Sequence, residues 1–352
     1  MSKTLHNILI ALGKTETLTA KSAAPGNALP FLLENSDNFD EAHEKYFKDT
    51  QSRQIFDWIL QSRIVTDLFG KPAPEVLDNI PYPRHQWNHL LRQAKAMKPV
   101  VIGDYTLDRI DTWLLEAYSL KGLCEVEPGD TVLDCGAYTG NTSVYFAQKT
   151  GPSGHVYGFE PAPMLFALYN SNIQPYGNVT AINAALTDSA KLIGPNTTMG
   201  FSGNFCGARF AESGQLRVPV TAIDAFVHDN SLPCVDFIKM DIEGAEADAL
   251  QGAAKTICEF RPKMAISAYH KPDDLFALPR LIATICPGYQ FALRHFSDNL
   301  WETVMYCLHS ESPDYFGKDT TKDRYPLSRQ RLCEKLEATL ERRFKCEITL
   351  TY

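Results

Sequence analysis

The sequence lacks both a long hydrophobic run and an excess of positive charge. None of its apolar stretches approaches the roughly 20 residues that a membrane-spanning helix requires. The formal net charge of −8 over 352 residues disfavours a general nucleic-acid binder, because such proteins usually carry a basic face. The N-terminal patch ILIAL is too short for the hydrophobic region of a signal peptide, and no small-residue cleavage site follows it. We therefore expect a cytoplasmic protein that binds neither membranes nor nucleic acids.

Closely spaced cysteines are absent as well. No two of the nine cysteines lie closer than eleven residues, so the chain has no CxxC motif for zinc or for redox chemistry. Several fall in apolar segments, where a free cysteine behaves as a small hydrophobic side chain. An odd number without a spacing pattern is typical of reduced thiols in a reducing compartment, which agrees with a cytoplasmic location.

The hydrophobic pattern divides the chain into three parts. Residues 1–120 are predicted to be a mostly helical accessory region, because apolar residues recur at three-to-four spacing in stretches such as SRQIFDWILQSRIVTDLFG. This region could also mediate oligomerisation. Residues 121–310 alternate short β-rich runs with helical stretches. Residues 311–352 are a tail, in which apolar residues spaced by four in RQRLCEKLEATLERRFK predict a docking helix.

The middle part predicts an α/β fold with a mostly parallel, Rossmann-like sheet of seven strands. Strands that alternate with helices indicate βαβ units. The runs at 289–295 and 302–308 are separated by only six residues, too few for a crossover helix, so the sheet should end in an antiparallel hairpin. The other expected elements are strands at 131–135, 155–160, 179–185, 235–241 and 263–269 and helices at about 141–149, 163–172, 245–258 and 273–286.

A glycine-containing turn, VLDCGAYTGNTS, lies between the first strand and its helix. Open α/β sheets bind ligands at the carboxyl ends of their strands, so this turn should face a ligand crevice. Gly136 and Gly140 allow the backbone to turn tightly and to approach a ligand. Asn141 and Thr142 open the following helix, and their amides are expected to hold a carboxylate or phosphate.

Two nucleotide cofactors compete for this turn. A dinucleotide fingerprint requires G-x-G-x-x-G, whereas Tyr138 stands in the place of the middle glycine. The pattern D-x-G-x-x-x-G is instead that of S-adenosylmethionine enzymes, with Asp134 expected to meet the cofactor's ammonium group directly or through water. Glu160 ends the next strand, where a carboxylate can bind both ribose hydroxyls. Asn183 and Ala184, at the third strand end, are expected near the adenine. A turn without a ligand is the alternative for each of these features.

Together, these features resemble a known family. The blocks DTVLDCGAYTGNTS, GFEPAP, FIKMDIEGAEADALQGA and RPKMAISAYHKPDDLFALPRLI are similar to those of the FkbM family of S-adenosylmethionine-dependent methyltransferases, and FIKMDIEGAE is the most specific of them. The resemblance covers roughly residues 125–308. It implies a class I methyltransferase fold and O-methyl transfer to a hydroxyl of a glycan, sugar or secondary metabolite. The expected partner is therefore a small-molecule or glycan acceptor.

The fourth strand end holds the expected catalytic acid. An alcohol acceptor carries a proton that a nearby group must take, and Asp241 ends this strand beside the crevice. Lys239 shares a strand face with Asp241. Since an unpaired buried ammonium is costly, we expect Lys239 to pair with Asp241 or Glu243. A purely structural ion pair is the alternative. Glu246 and Asp248 fit better as acids at the positive end of a helix.

His270 ends the fifth strand and completes the expected catalytic set of Asp241, His270, Lys239 and Glu243. A histidine titrates near neutral pH and suits general-base chemistry, and a surface or hydrogen-bonded histidine is the alternative. Asp241, Glu243 and His270 could also accept Mg²⁺, Mn²⁺ or Zn²⁺. Because the fifth strand end lacks an obvious acid–Asn pair, the sequence does not favour a metal.

The segment between the third and fourth strands is longer than a plain crossover. Residues 187–226 are rich in Gly, Asn, Ser and Thr, so we expect a small hairpin and a lid over the acceptor site, with an exposed β-extension as the alternative. Two other functions compete with methyl transfer. A non-catalytic S-adenosylmethionine-binding or interaction module would use the same fold. An NAD-dependent oxidoreductase is disfavoured by the missing middle glycine and by the terminal hairpin.

Overall fold

Helices and strands alternate along the chain in this computed structural model. The structure describes residues 31–32, 34–69, 81–188, 197–200, 209–210 and 216–310. A short helical segment, Thr106–Asp108, continues into a wider π-type turn at Arg109–Leu114. The remaining helices are labelled α1 Ser36–Lys45, α2 Thr50–Phe69, α3 Arg84–Ala96, α4 Asn141–Thr150, α5 Pro163–Asn172, α6 Ile223–Asp229, α7 Glu246–Gln251, α8 Ala254–Phe260 and α9 Asp274–Ile285.

The centre of the fold is a seven-stranded sheet. Its strands in chain order are β1 Thr131–Cys135, β2 His155–Phe159, β3 Val179–Ile182, β4 Phe237–Met240, β5 Lys263–Ser267, β6 Tyr289–His295 and β7 Thr303–His309. Across the sheet the order is β6-β7-β5-β4-β1-β2-β3. All pairs are parallel except those of β7, which runs antiparallel to both β5 and β6. This arrangement confirms the predicted mostly parallel sheet with its antiparallel hairpin.

The inner strands of this sheet are apolar because helices cover both of its faces. All four residues of β4 are buried, and so are four of the five residues of β1 and of β5. The carboxyl ends of these parallel strands meet at one edge of the sheet, where the loops that follow them lie side by side. That edge is the place where an open α/β sheet binds its ligand.

The helix predicted at 245–258 is interrupted, and this part of the prediction is wrong. A β-carbon on Gly252 would lie 2.1 Å from the Thr187 carbonyl oxygen, so only glycine allows the backbone to pass there. The chain breaks after α7 and restarts as α8. Asp224, from α6, caps the new start by accepting hydrogen bonds from the backbone amides of Lys255 and Thr256.

The third strand ends earlier than predicted, at Ile182. The side chain of Asn183 turns back to donate hydrogen bonds to the carbonyls of Glu160 and Pro161, and the chain leaves the sheet. Ala185–Leu186 then pairs with Val220–Thr221 in a separate two-stranded ladder.

The long segment between the two strands of this ladder contains more than the predicted hairpin. Its described parts form a small three-stranded antiparallel sheet, with Thr197–Gly200 between Arg209–Phe210 and Leu216–Val218. The rest of the expected lid lies outside the described residues, and its role as a lid stays a prediction.

The N-terminal helices α1 and α2 pack directly on the hairpin edge of the sheet. Phe39 of α1 is fully buried against Phe276 of α9, with ring centroids 4.9 Å apart. Ser52 of α2 accepts a 2.7 Å hydrogen bond from the Leu293 amide of β6. The side chains of α1 and α2 therefore belong to the same hydrophobic core as the sheet.

Residues 82–120 pass over the carboxyl edge of the sheet. The Trp113 ring nitrogen donates a 2.8 Å hydrogen bond to the side chain of Asn141, at the start of α4. A few residues further, Tyr118 reaches the end of β4. No helix in the described part of the chain is long and apolar enough to cross a membrane. The expected docking helix in residues 311–352 lies outside the described residues.

Candidate active site

The turn after β1 adopts a backbone shape that requires its glycines. Gly136 and Gly140 have φ angles of +86° and +93°, and Tyr138 between them also lies in the left-handed region at +53°. A β-carbon on Gly136 would lie 1.9 Å from the carbonyl oxygen of Asp241. The turn therefore touches the end of β4 directly, and the first and fourth strand ends form one continuous wall of the crevice.

Lys239 pairs with Asp134, and the predicted pair with Asp241 or Glu243 is wrong. The Lys239 Nζ atom lies 3.2 Å from Asp134 Oδ1 and donates a 2.6 Å hydrogen bond to the carbonyl of Gly136. The physical reason is the register of the sheet. Asp134 and Lys239 are direct neighbours on β1 and β4, closer across the sheet than residues two apart along one strand.

The position of Asp134 differs from the expected role in cofactor binding. Its side chain is 0% exposed and accepts hydrogen bonds from the hydroxyls of Thr142 (2.7 Å) and Ser143 (2.6 Å), besides its ion pair with Lys239. It points into the protein rather than into the crevice, so it has no direct access to a ligand's ammonium group. Asp134 instead fixes the start of α4 to the sheet.

Glu160 lies at the end of β2 next to the glycine turn, as predicted. Its two carboxylate oxygens accept backbone hydrogen bonds from Tyr138 (3.0 Å) and Ala162 (2.8 Å). Burial raises the pKa of Glu160 to about 7, against the opposing effect of these hydrogen bonds. Asn183 and the buried Ala184 follow β3 beside it. The structure thus brings Glu160, Asn183 and Ala184 together with the turn.

The side chains at the start of α4 are already engaged with the protein. Asn141 accepts from Trp113 and donates to the carbonyl of Asp108, and Thr142 donates to Asp134. Only the backbone amides of Asn141 and Thr142 are therefore candidates for binding an anionic group, in the way that the sequence predicted.

Asp241 directly follows β4, at the carboxyl edge of the sheet beside the glycine turn. Tyr118 donates a 2.9 Å hydrogen bond to its Oδ2 atom, and Tyr269 donates a 3.2 Å hydrogen bond to Oδ1. Burial opposes ionisation, but the positive charges of His270 and Lys239 hold the pKa of Asp241 below its usual range. Asp241 is therefore a charged carboxylate at neutral pH.

His270 lies among three carboxylates. Its Nδ1 atom is 2.9 Å from Glu246 Oε1, and its Nε2 atom is 3.3 Å from Asp241 Oδ1 and 3.7 Å from Glu243 Oε2. Burial opposes protonation, yet the hydrogen bond to Glu246 and the charge of Asp241 raise the pKa of His270 to about 9. A ring with this pKa is protonated at neutral pH, so this arrangement favours a charged partner of Asp241 over the expected general base.

Glu246 is more than the helix-start acid that the sequence suggested. Its side chain is 1% exposed, and Oε1 accepts hydrogen bonds from the amides of Ile242 and Gly244 as well as facing His270. These two amide hydrogen bonds hold the sharp turn after β4, in which Glu243 takes a left-handed backbone conformation with φ +58°. The position of Glu246 after a glycine turn was visible in the sequence, but its histidine partner comes from another strand.

Three further residues of the site were missed. Tyr118 is 123 positions from Asp241 along the chain, so no local pattern points to it. Tyr269 directly precedes His270, and its position at a strand end was the one available signal. Glu302, in the loop between β6 and β7, faces the same carboxylates. Burial and the charge of Asp241 raise its pKa to about 8.

The strand order and the glycine turn are those of a Rossmann-like class I methyltransferase fold. Residues 134–293 match the sequence model of the Methyltransferase FkbM domain, which confirms the resemblance that the sequence motifs indicated.

Two similar proteins extend this comparison. The 2-O-methyltransferase NoeI of Sinorhizobium fredii is 25% identical over 153 residues, which are 38% of this chain and 62% of that protein. The crystal structure of methyltransferase FkbM from Methylobacillus flagellatus KT superposes with a TM-score of 0.54 at 23% identity, over 80% of this chain and 62% of that chain. This chain thus matches less than two thirds of the length of either protein, and the structural similarity establishes the fold.

Proposed function

We propose that this protein transfers the methyl group of S-adenosylmethionine to a hydroxyl group of a sugar, a glycan or a secondary metabolite. The observation that carries the proposal is the contact between the glycine turn and Asp241. The turn that would hold the methyl donor touches the strand end that presents a charged carboxylate. The proposed donor and acceptor sites would therefore be neighbours in a single crevice.

The donor side fits a nucleoside with a charged amino-acid tail. Glu160 uses one lone pair on each oxygen for backbone amides. A carboxylate has about four lone-pair sites, so two ribose hydroxyls can still donate to it. The amides at the start of α4, a helix of ten residues, suit the carboxylate of the tail. Bound here, S-adenosylmethionine supplies a methyl carbon already activated by the sulfonium charge.

The acceptor side fits a neutral hydroxyl group. Transfer forms a C–O bond to the methyl carbon, leaves the electrons of the broken C–S bond on sulfur and releases the hydroxyl proton. In this proposal Asp241 orients the hydroxyl and takes its proton. Support comes from Tyr118, Tyr269 and His270, which hold the Asp241 carboxylate in a fixed position. The name of the relative NoeI, a 2-O-methyltransferase, supports oxygen as the acceptor atom.

Binding and transfer can be tested separately. Isothermal titration should show S-adenosylmethionine and S-adenosylhomocysteine binding to the wild type, and Glu160→Ala should weaken both strongly. Asp241→Asn should leave this binding nearly unchanged and reduce methyl transfer about 10²–10⁴-fold, the usual contribution of a positioned acid–base group. Transfer is measured with radiolabelled donor and a panel of methyl glycosides and glycans. Glu259→Gln, at an exposed position of α8, is the matched control.

The outcomes distinguish the competing functions. If well-folded protein bound neither S-adenosylmethionine nor S-adenosylhomocysteine, the proposal would be wrong. If it bound both and Asp241→Asn left its cellular function intact, the non-catalytic module would be the better explanation. A larger thermal shift with NAD than with S-adenosylhomocysteine would favour the oxidoreductase.

A further inference from the structure

The loop between β6 and β7 places a large aromatic side chain at the surface, beside Asp241. Because β6 runs parallel to β5, this loop lies at the carboxyl edge of the sheet. Trp301 in the loop is 58% exposed, although tryptophan side chains are usually mostly buried. Its indole meets the ring of Tyr269 edge to face, with centroids 5.9 Å apart, and Tyr269 donates a hydrogen bond to Asp241. The exposed indole is thus one aromatic ring away from the Asp241 carboxylate.

The loop is held in shape by its own hydrogen bonds. The buried hydroxyl of Ser297 donates a 2.6 Å hydrogen bond to the Trp301 carbonyl, and the Trp301 amide donates a 2.8 Å hydrogen bond to the side chain of Asn299. The Phe296 amide donates a 2.9 Å hydrogen bond to the Glu302 carbonyl across the base of the loop. An aromatic side chain on such a fixed backbone binds a ligand at a low cost in conformational entropy.

Glu302 contributes a polar group from the same loop. Its φ angle of +66° lies in the left-handed region, a conformation that costs free energy for a residue other than glycine and that occurs preferentially at functional sites. Burial and the charge of Asp241 hold the pKa of Glu302 at about 8, so its carboxyl group is mostly protonated at neutral pH. A protonated carboxyl group both donates and accepts hydrogen bonds.

An apolar ring beside groups that exchange hydrogen bonds matches the chemistry of a sugar. One face of a pyranose consists of polarised C–H bonds, which are attracted to the negative face of an aromatic ring. Its rim carries hydroxyls that both donate and accept hydrogen bonds. A planar aromatic acceptor would also stack on the indole, but it offers fewer hydroxyls, and a carboxyl group that loses water without gaining a partner is costly. The charge of Asp241 disfavours an anionic acceptor.

We propose that Trp301 and Glu302 bind the acceptor as a neutral pyranose, with the C–H face of the sugar on the indole and its hydroxyls on the carboxyl groups of Glu302 and Asp241. This assignment rests on the proposed methyl transfer and narrows its acceptor to a saccharide. Asp241 meets the hydroxyl that is methylated. Trp301 and Glu302 determine which sugar is bound and which hydroxyl is presented.

Kinetics with saccharide acceptors test the two residues. Transfer from radiolabelled S-adenosylmethionine is measured with methyl pyranosides of glucose, galactose, mannose and N-acetylglucosamine and with oligosaccharides of these sugars. For the best acceptor, Trp301→Ala should raise KM at least about tenfold and change kcat less, and Trp301→Phe should recover most of this loss because it keeps an aromatic face. Glu302→Gly should also raise KM, and glycine keeps the backbone at φ +66° without strain.

Ile102→Ala is the matched control for the loss of an exposed apolar side chain. Ile102 is 69% exposed, and its amide bonds to Asn172 at the end of α5. This helix leads into β3, at the opposite end of the sheet from β6. The control should leave KM unchanged. S-adenosylhomocysteine binding in isothermal titration should be the same in the wild type and in all four variants.

Tryptophan fluorescence gives a readout that does not depend on methyl transfer. Adding the preferred saccharide to the wild type should change the emission, and this change should be absent in Trp301→Phe, which keeps the stacking face and removes the indole. The same saccharides are added with and without S-adenosylhomocysteine.

Failure of this inference is distinguishable from failure of the proposed function. Methylation of catechol or a flavonoid in place of any saccharide would overturn the pyranose assignment and leave methyl transfer standing. The absence of both saccharide methylation and saccharide binding would overturn it as well, as would a KM that Trp301→Ala and Glu302→Gly leave unchanged. A saccharide-dependent emission of Trp301 in protein that binds no S-adenosylmethionine would support the sugar site and contradict methyl transfer instead.

Discussion

At the scale of single residues, the site depends on charges whose partners lie on other strands. Asp134 and Lys239 are neighbours only because β1 and β4 pair in this register. The sequence indicated correctly that a buried lysine needs an acid. It could not identify the acid, because the nearest candidates along the chain are not the nearest ones across the sheet. The same limit applies to Tyr118 and to the contact of Glu246 with His270.

The Asp134–Lys239 pair predicts a strong and non-additive effect on stability. Lys239→Met leaves the Asp134 carboxylate buried without its cation, and we expect the free energy of unfolding to fall by about 3–5 kcal/mol. The double variant Lys239→Met/Asp134→Asn should recover part of this loss, since it removes both charges. Urea denaturation followed by circular dichroism measures both effects.

Lys255→Met is the matched control for this pair, because its side chain is exposed on α8. We expect it to change the free energy of unfolding by less than about 0.5 kcal/mol. Equal losses in Lys239→Met and in the double variant would show that the ammonium contributes through its hydrogen bond to the Gly136 carbonyl rather than through Asp134.

At the scale of the elements, local patterns located the strands and helices to within a few residues. Alternating β-rich and helical stretches are properties of short windows, and they carry over into the fold. The break between α7 and α8 was missed because it is not a property of a short window of sequence. It depends on the Thr187 backbone, which comes from a distant part of the chain and leaves room only for Gly252.

The second half of that interrupted helix depends on a cap from α6. We expect Asp224→Ala to lower the free energy of unfolding by about 1–2 kcal/mol, because the amides of Lys255 and Thr256 lose their acceptor. Hydrogen exchange should accelerate at these two amides first. Methyl transfer should persist, since Asp224 and the two residues that it caps all lie away from the crevice.

Asp229→Ala provides the comparison for this cap, because Asp229 ends the same helix with a side chain that is 75% exposed. It should leave both the unfolding energy and the exchange rates near those of the wild type. A loss of similar size in the two variants would assign the effect to α6 itself and contradict the capping role.

At the scale of the whole molecule, the described N-terminal helices complete the core of the sheet. The sequence predicted their helical character, and it set them apart as an accessory region. Their packing could not be predicted, because it depends on which faces of α1, α2 and α9 meet. The domain boundaries near residues 120 and 310 stay predictions.

This packing predicts that α1 and the sheet unfold together. Phe39→Ala removes a fully buried ring from contact with Phe276, and we expect a loss of about 3–5 kcal/mol in the free energy of unfolding. Tryptophan fluorescence and far-ultraviolet circular dichroism should still follow a single transition, at lower denaturant concentration. Leu107→Ala, at a side chain that is 51% exposed, should have little effect. A separate early transition in the Phe39→Ala variant would indicate an independent N-terminal unit.

The order of the strands has a practical consequence for anyone who wishes to produce only the part of this protein that matches the family model. The family match at residues 134–293 begins inside β1 and ends inside β6. It omits β7, which lies between β5 and β6 and joins them, and it omits Tyr118, which holds the carboxylate of Asp241. A fragment cut at those limits would have β6 detached from the sheet and β5 exposed as an unpaired edge prone to aggregation. The smallest piece worth expressing therefore extends beyond the family's sequence signature at both ends.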